Sequence, residues 1–91
     1  TITSIGSSAF ENCTGLTIIT IPETVTHIYK DAFYNCYALH AIYFKSLIPP
    51  ELHDQALRTN NAILYVPATA LSDYQNADVW STIYINRIQA Y

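Results

Sequence analysis

The chain has 91 residues, 51% of them hydrophobic and only 12% charged, with four Lys and Arg against seven Asp and Glu for a net charge of −3 at pH 7. That is the composition of one folded domain rather than of a disordered chain. It offers no basic face for phosphates or anionic lipid, and no apolar run approaches the roughly 18 residues of a membrane span, so the sequence predicts neither nucleic-acid binding nor membrane insertion by this segment. No signal peptide or lipidation motif is visible. The chain starts at Thr1 and lacks Met, and it reads as a piece of a longer or processed protein.

Residues 1–23 repeat as residues 24–46. Identical pairs are Thr1/Thr24, Thr3/Thr26, Ile5/Ile28, Ala9/Ala32, Phe10/Phe33, Asn12/Asn35, Cys13/Cys36, Leu16/Leu39 and Ile19/Ile42, with Ile2/Val25 and Ile21/Phe44 conservative. Chance would supply roughly one or two identities over such a length. The matched positions are nearly all apolar, whereas Ser4/His27, Ser8/Asp31 and Glu11/Tyr34 differ. Stacked coils produce this pattern, because each coil turns the same side chains onto their equivalents in the next.

In each coil, Ile2-x-x-Ile5 and Val25-x-x-Ile28 form an apolar edge on one side. Ala9-Phe10 and Ala32-Phe33 follow as a short helical or irregular turn, with Asn12 and Asn35 at the bend, expected to turn inward and satisfy backbone groups there. Leu16-x-x-Ile19-x-Ile21 and Leu39-x-x-Ile42-x-Phe44 then predict a strand, from the period of two in their last members. Pro22 ends the first of these strands. A third, irregular coil spans 47–67, its bend shortened between Ala56-Leu57 and Leu64-Tyr65-Val66 and lacking an Asn-Cys pair.

Residues 68–91 read as a cap over the last coil. Thr69 is placed to N-cap a short helix running to about Asn76, with Leu71 and Tyr74 on one face. Trp80 offers the largest apolar side chain. Ile83-Tyr84-Ile85 alternates as a strand, and Ile88 continues the apolar face. The sequence predicts an α/β repeat solenoid: about three coils (1–23, 24–46 and irregular 47–67), a short parallel β-sheet on one face, and a C-terminal capping segment (68–91) with a short helix, forming a single domain.

The run Ile2-Thr3-Ser4-Ile5-Gly6-Ser7-Ser8-Ala9-Phe10-Glu11-Asn12-Cys13, followed by Leu16, Ile19, Ile21 and Pro22, resembles the BspA-type (Treponema-type) leucine-rich repeat. The second copy departs from that pattern at Tyr29 and Lys45, neither an inward position. Pro49-Pro50, Ala56-Leu57, Leu64-Tyr65-Val66-Pro67-Ala68, Leu71, Tyr74, Trp80 and Ile88 are similar to a recurrent ending of such proteins in Bacteroidetes. The resemblance implies a right-handed solenoid, a cell-surface or secreted location, and adhesion to a host or matrix protein or glycan.

With Ile19, Ile21, Ile42, Phe44, Leu64 and Val66 inward, two columns face out of the sheet: Ile18, Ala41 and Ile63, and beside them Thr20, Tyr43 and Tyr65. Contiguous apolar and Tyr surface is what interfaces use, and these six residues are the candidate binding face; the bland alternative is that Tyr suits β-structure and cross-strand stacking. Tyr29, Tyr34 and Tyr37 fall on bends. Self-association through the N-terminal edge is a further expectation.

Nothing predicts an enzyme or a cofactor. Ser46, His53 and Asp54 make a nominal Ser-His-Asp set with no nucleophile elbow or oxyanion motif. His27, His40 and His53 occupy variable, solvent-facing positions without metal-ligand spacing. Cys13 and Cys36 lie one coil apart, near enough in principle for a disulfide but poorly oriented for one, and read as small core hydrophobes. Asn12-Cys13-Thr14 is a formal glycosylation sequon at a position expected to face inward. Two other readings compete with the binding module: a structural end of a longer stalk, and an accessory domain of an enzyme.

Overall fold

The computed structural model describes residues 2–57 and 61–91, so Thr1 and part of the third coil fall outside the described residues. Each coil contributes one strand to each of two parallel sheets. A minor sheet is made by β1 (Ser4–Ile5), β3 (His27–Ile28) and β5 (Glu51–Leu52), in the order β1-β3-β5. The main sheet is made by β2 (Ile18–Ile21), β4 (Ala41–Phe44), β6 (Ile63–Val66) and β7 (Ile88–Ala90), in the order β2-β4-β6-β7. The repeat alignment sets the register: Ile19 pairs with Ile42 and Ile42 with Leu64, so like side chains stack in inward rows. β2 stops immediately before Pro22, which has no N–H to continue the ladder.

The bend between the sheets is neither helix nor strand. Alternate N–H groups bond three residues back and across to the next coil. Ala9, Glu11 and Cys13 donate to Gly6, Ser8 and Phe10, whereas Ser8, Phe10 and Asn12 donate to Lys30, Ala32 and Tyr34. The arrangement recurs one coil on, where Asp31 and Phe33 donate to Gln55 and Ala56. It requires left-handed backbone at every fourth residue, seen at Ser8 (φ 60°), Asn12 (62°), Asp31 (58°) and Asn35 (61°). Short polar side chains tolerate that conformation best. Asn12 and Asn35 therefore do not turn inward as expected; Asn12 is exposed and Asn35 half-buried.

Between the sheets lies one core that includes Ile28, Phe33, Cys36, Ile42, Phe44, Leu57, Leu64, Val66, Tyr74 and Trp80, each almost wholly buried. Phe10 stacks flat on Phe33 at 5.2 Å, in the repeat register. Beyond β6 the chain makes a 3-10 turn at Ala68–Ala70 and then α1 (Leu71–Asn76). Thr69 lies inside that turn and caps nothing; Pro67 and Ala70 stand at the two N-cap positions without side-chain cap bonds. Asp73 in the first turn complements the helix dipole, and Asn76 Nδ2 donates to Ser72 O at 2.8 Å. α1 buries Tyr74 and half-buries Leu71, the face its spacing predicts.

The strand expected at Ile83-Tyr84-Ile85 is absent. Ile83 and Ile85 are exposed and Tyr84 is buried in a turn that leads into a 3-10 segment at Ile85–Arg87. The added strand is β7, where Ile88 pairs with Leu64 and Ala90 with Val66.

Candidate functional site

The outward side of the main sheet carries the two expected columns. Thr20, Tyr43 and Tyr65 are in direct register, as are Ile18, Ala41 and Ile63. Ile18 and Thr20 are exposed, and Tyr43, Ile63 and Tyr65 half-buried. Ala41 needs correcting as a contact residue: it is 4% exposed, since its methyl group sits in the column between two larger isoleucines. It spaces that column rather than offering surface.

Tyr43 and Tyr65 stack at 4.7 Å with their planes 12° apart. Stacking along the strand-to-strand direction closes one ring face of each against the other. Sequence reasoning missed two members of this face. Gln89 on β7 pairs with Tyr65 and extends the column. Tyr91 continues the ladder, its N–H donating to Val66 O at 3.0 Å, and its side chain reaches across the sheet, the ring edge-on to Tyr43 at 5.6 Å and the hydroxyl donating to Phe44 O at 2.8 Å. The available signal was spacing: Ile88-x-Ala90 repeats the Leu64-x-Val66 pattern about one coil later.

The C-terminal segment that brings Tyr91 here is fastened by polar tips of large side chains. Tyr74 Oη donates to Ser46 O (2.7 Å), Trp80 Nε1 to Pro50 O (3.0 Å), Tyr84 Oη to Asp54 O (2.8 Å) and Arg87 Nε to Ala62 O (2.8 Å). Tyr84 Oη also accepts from Leu57 N at 3.3 Å. The Pro50, Asp54 and Ala62 carbonyls belong to the segment read as the irregular third coil, and Ser46 immediately precedes it. Burial raises the phenol pKa values of Tyr74 and Tyr84 and lowers that of the Arg87 guanidinium, whose Cζ lies 5.2 Å from the Tyr84 ring centre.

The remaining candidates have local partners. Ser46 Oγ accepts from Ile48 N at 3.1 Å, and His53 Nδ1 accepts from Gln55 N at 3.1 Å while lying 3.1 Å from Asp54. No hydrogen bond joins Ser46 to His53 among the described residues. His27 Nε2 meets Glu51 at 3.0 Å and its ring stacks on Tyr29 at 5.8 Å. Among the described residues no group of three or more His, Cys, Asp or Glu is placed to hold a metal ion. Both cysteines are free; Cys36 is buried and its Sγ donates to Phe10 O at 3.0 Å. Asn12, in the sequon, is exposed because the bend turns it outward.

Residues 1–79 match the model of a family described as BspA type leucine rich repeat region (6 copies). No curated protein matches the chain. Among the described residues no helix is long and apolar enough to cross a membrane.

Proposed function

The chain belongs to the BspA-type leucine-rich repeat family, and on that premise we propose that it is a non-enzymatic module that binds a protein partner through the outward face of its main sheet. The reading rests on the Tyr43–Tyr65–Tyr91 cluster at the centre of that face. A sugar ring docks on an open aromatic face. Here the Tyr43 ring has Tyr65 against one face and Tyr91 edge-on beside it, with Thr20 next in the column. Rigid aromatic edges bearing hydroxyls, with exposed Ile18 beside them, suit a protein surface better than a glycan. The family context is a surface-associated or secreted protein, and a host or matrix protein is the partner class that follows from it.

Residues 68–91 carry a second role in this reading. They close the end of the solenoid, replacing the missing Asn bend with hydrogen bonds from Tyr74, Trp80, Tyr84 and Arg87 and adding β7 along the edge of β6.

The test is binding of the chain to immobilised matrix proteins and glycans, beside a Tyr43→Ala, Tyr65→Ala double variant checked for unchanged folding. The expected result is retention on a protein ligand, weakened roughly tenfold or more in the variant. Binding to glycans alone, or undiminished binding by the variant, overturns the reading.

A further inference from the structure

A second concave surface lies on the other side of the molecule, where the minor sheet meets the turn after α1. It consists of two adjoining hollows that share Glu51. One, of about 420 Å³, is walled by Val25, Ile48, Pro49, Pro50, Ala77 and Trp80; the other, of about 390 Å³, by Ile28, Leu52, Val79 and the ring of Tyr29. The floor is thus apolar. Ile48 is 78% exposed and the adjacent Leu47 62%, the largest exposures among the large hydrophobic residues apart from Tyr37 and Ile2.

The rim is of one charge. Among the described residues Glu23, Glu51, Asp54 and Asp78 line the two hollows, with His27 and His53, and neither Lys nor Arg does. These are four of the seven acidic residues of the chain. Glu51 and Asp54 each have a histidine beside them, His27 at 3.0 Å and His53 at 3.1 Å. No lysine or arginine ion pair reaches Glu23 or Asp78 among the described residues. An apolar trough edged by carboxylates has a definite complement: a side chain with a hydrocarbon stem and a cationic end.

We propose that this cleft seats an extended basic segment of a partner protein, its lysine or arginine stems lying on Ile48 and Pro49 and its charged ends meeting Glu23, Asp78 and Glu51. The surface is distinct from the tyrosine face of the main sheet, so one molecule could hold a partner at both. The segment must be extended, because the two hollows follow one another along the edge of the minor sheet rather than forming a single pit. Trp80, the only tryptophan, backs the first hollow from the core, where it is wholly buried.

The test uses the purified chain and a short fluorescein-labelled peptide alternating lysine and leucine, followed by anisotropy. An otherwise identical peptide with glutamate for lysine is the charge control. The expected result is saturable binding of the basic peptide alone, weakened about tenfold by Glu23→Gln with Asp78→Asn. The charge-matched variant Glu11→Gln with Asp73→Asn, away from the cleft, should bind as the parent does. So should Tyr43→Ala, Tyr65→Ala, which separates this cleft from the sheet face. Equal weakening by both charge-matched pairs would show attraction to net charge and overturn the proposal. So would absence of binding, or displacement of the peptide by spermine at equal concentration, which would make this a site for small polycations.

Discussion

Asn35 Nδ2 donates to Asn12 Oδ1 at 3.0 Å across one full coil, and both residues hold left-handed backbone, at φ 61° and 62°. The two facts have one cause. The bend needs a residue that tolerates positive φ, and asparagine does so while its amide remains free to link to the coil beside it. Tyr37 Oη adds a donor to Asn35 Oδ1 at 3.0 Å, so the ladder continues sideways along the bend.

Replacing Asn35 by alanine removes the ladder and puts a residue that tolerates the left-handed region less well than asparagine at φ 61°, and should destabilise the chain by about 1–3 kcal/mol. Asn35→Gly removes the ladder alone, keeps the backbone relaxed and should recover about half of that loss. Urea unfolding of the three proteins measures both. Equal stability of the alanine and glycine variants would mean that the backbone requirement is not the reason for the asparagine.

Much of the main sheet could be read from the sequence because its side chains stack on their own equivalents. Ile19, Ile42 and Leu64 recur as one row, and the same row ends in Ile88. What resisted reading is where one residue serves two demands. Asn12 and Asn35 recur like core residues, yet they are kept at that spacing by backbone conformation and not by burial. Ile83-Tyr84-Ile85 alternates like a strand, but Tyr84 points inward because its hydroxyl serves Asp54 O and Leu57 N, leaving both isoleucines outside. On the candidate face, the columns followed from the register, whereas the reach of the Tyr91 side chain across β6 to Tyr43 and Phe44 O depends on its length and is not written in the repeat.

Among the described residues Val79 is the one β-branched residue with positive φ, at 69°, and it packs against the core from the turn that walls the acidic cleft. A left-handed conformation costs an L residue about 1–2 kcal/mol. Glycine is normally the less stable choice than alanine by about 0.5–1 kcal/mol. At this position the order should reverse: Val79→Gly should be more stable than Val79→Ala by about 1 kcal/mol in thermal or urea unfolding. The ordinary order would place the turn in a conformation other than the one described.

The two thiols should differ in reactivity although they are equivalent in the repeat. Cys13 is half-buried, whereas Cys36 is buried beneath the first coil with its Sγ on Phe10 O. Burial raises the Cys36 pKa, the Cys13 backbone N–H offsetting part of the rise, so less of the reactive thiolate forms. Iodoacetamide under native conditions should label Cys13 first, and Cys36 should follow only on unfolding. Peptide mapping by mass spectrometry reads the order, and simultaneous labelling would show that the first coil does not cover Cys36.

Alkaline pH should weaken the C-terminal segment before the rest. Tyr74 and Tyr84 are buried with their hydroxyls donating to Ser46 O and Asp54 O, and burial holds both phenols protonated beyond their usual range. Their folded pKa values therefore lie above the unfolded value of about 10. The stabilisation is complete below that pH and is lost as pH rises toward the folded values, because the unfolded chain can release protons that the folded chain must keep. Each such tyrosine should lower stability by about 1.4 kcal/mol per pH unit in that window. Tyr74→Phe removes one of the two ionisations, so its stability should start lower at pH 7 and fall less steeply above pH 10. Urea midpoints across the alkaline range, with hydrogen exchange at the β7 amides, test this. Parallel pH profiles for the two proteins would remove Tyr74 as a cause of alkaline unfolding.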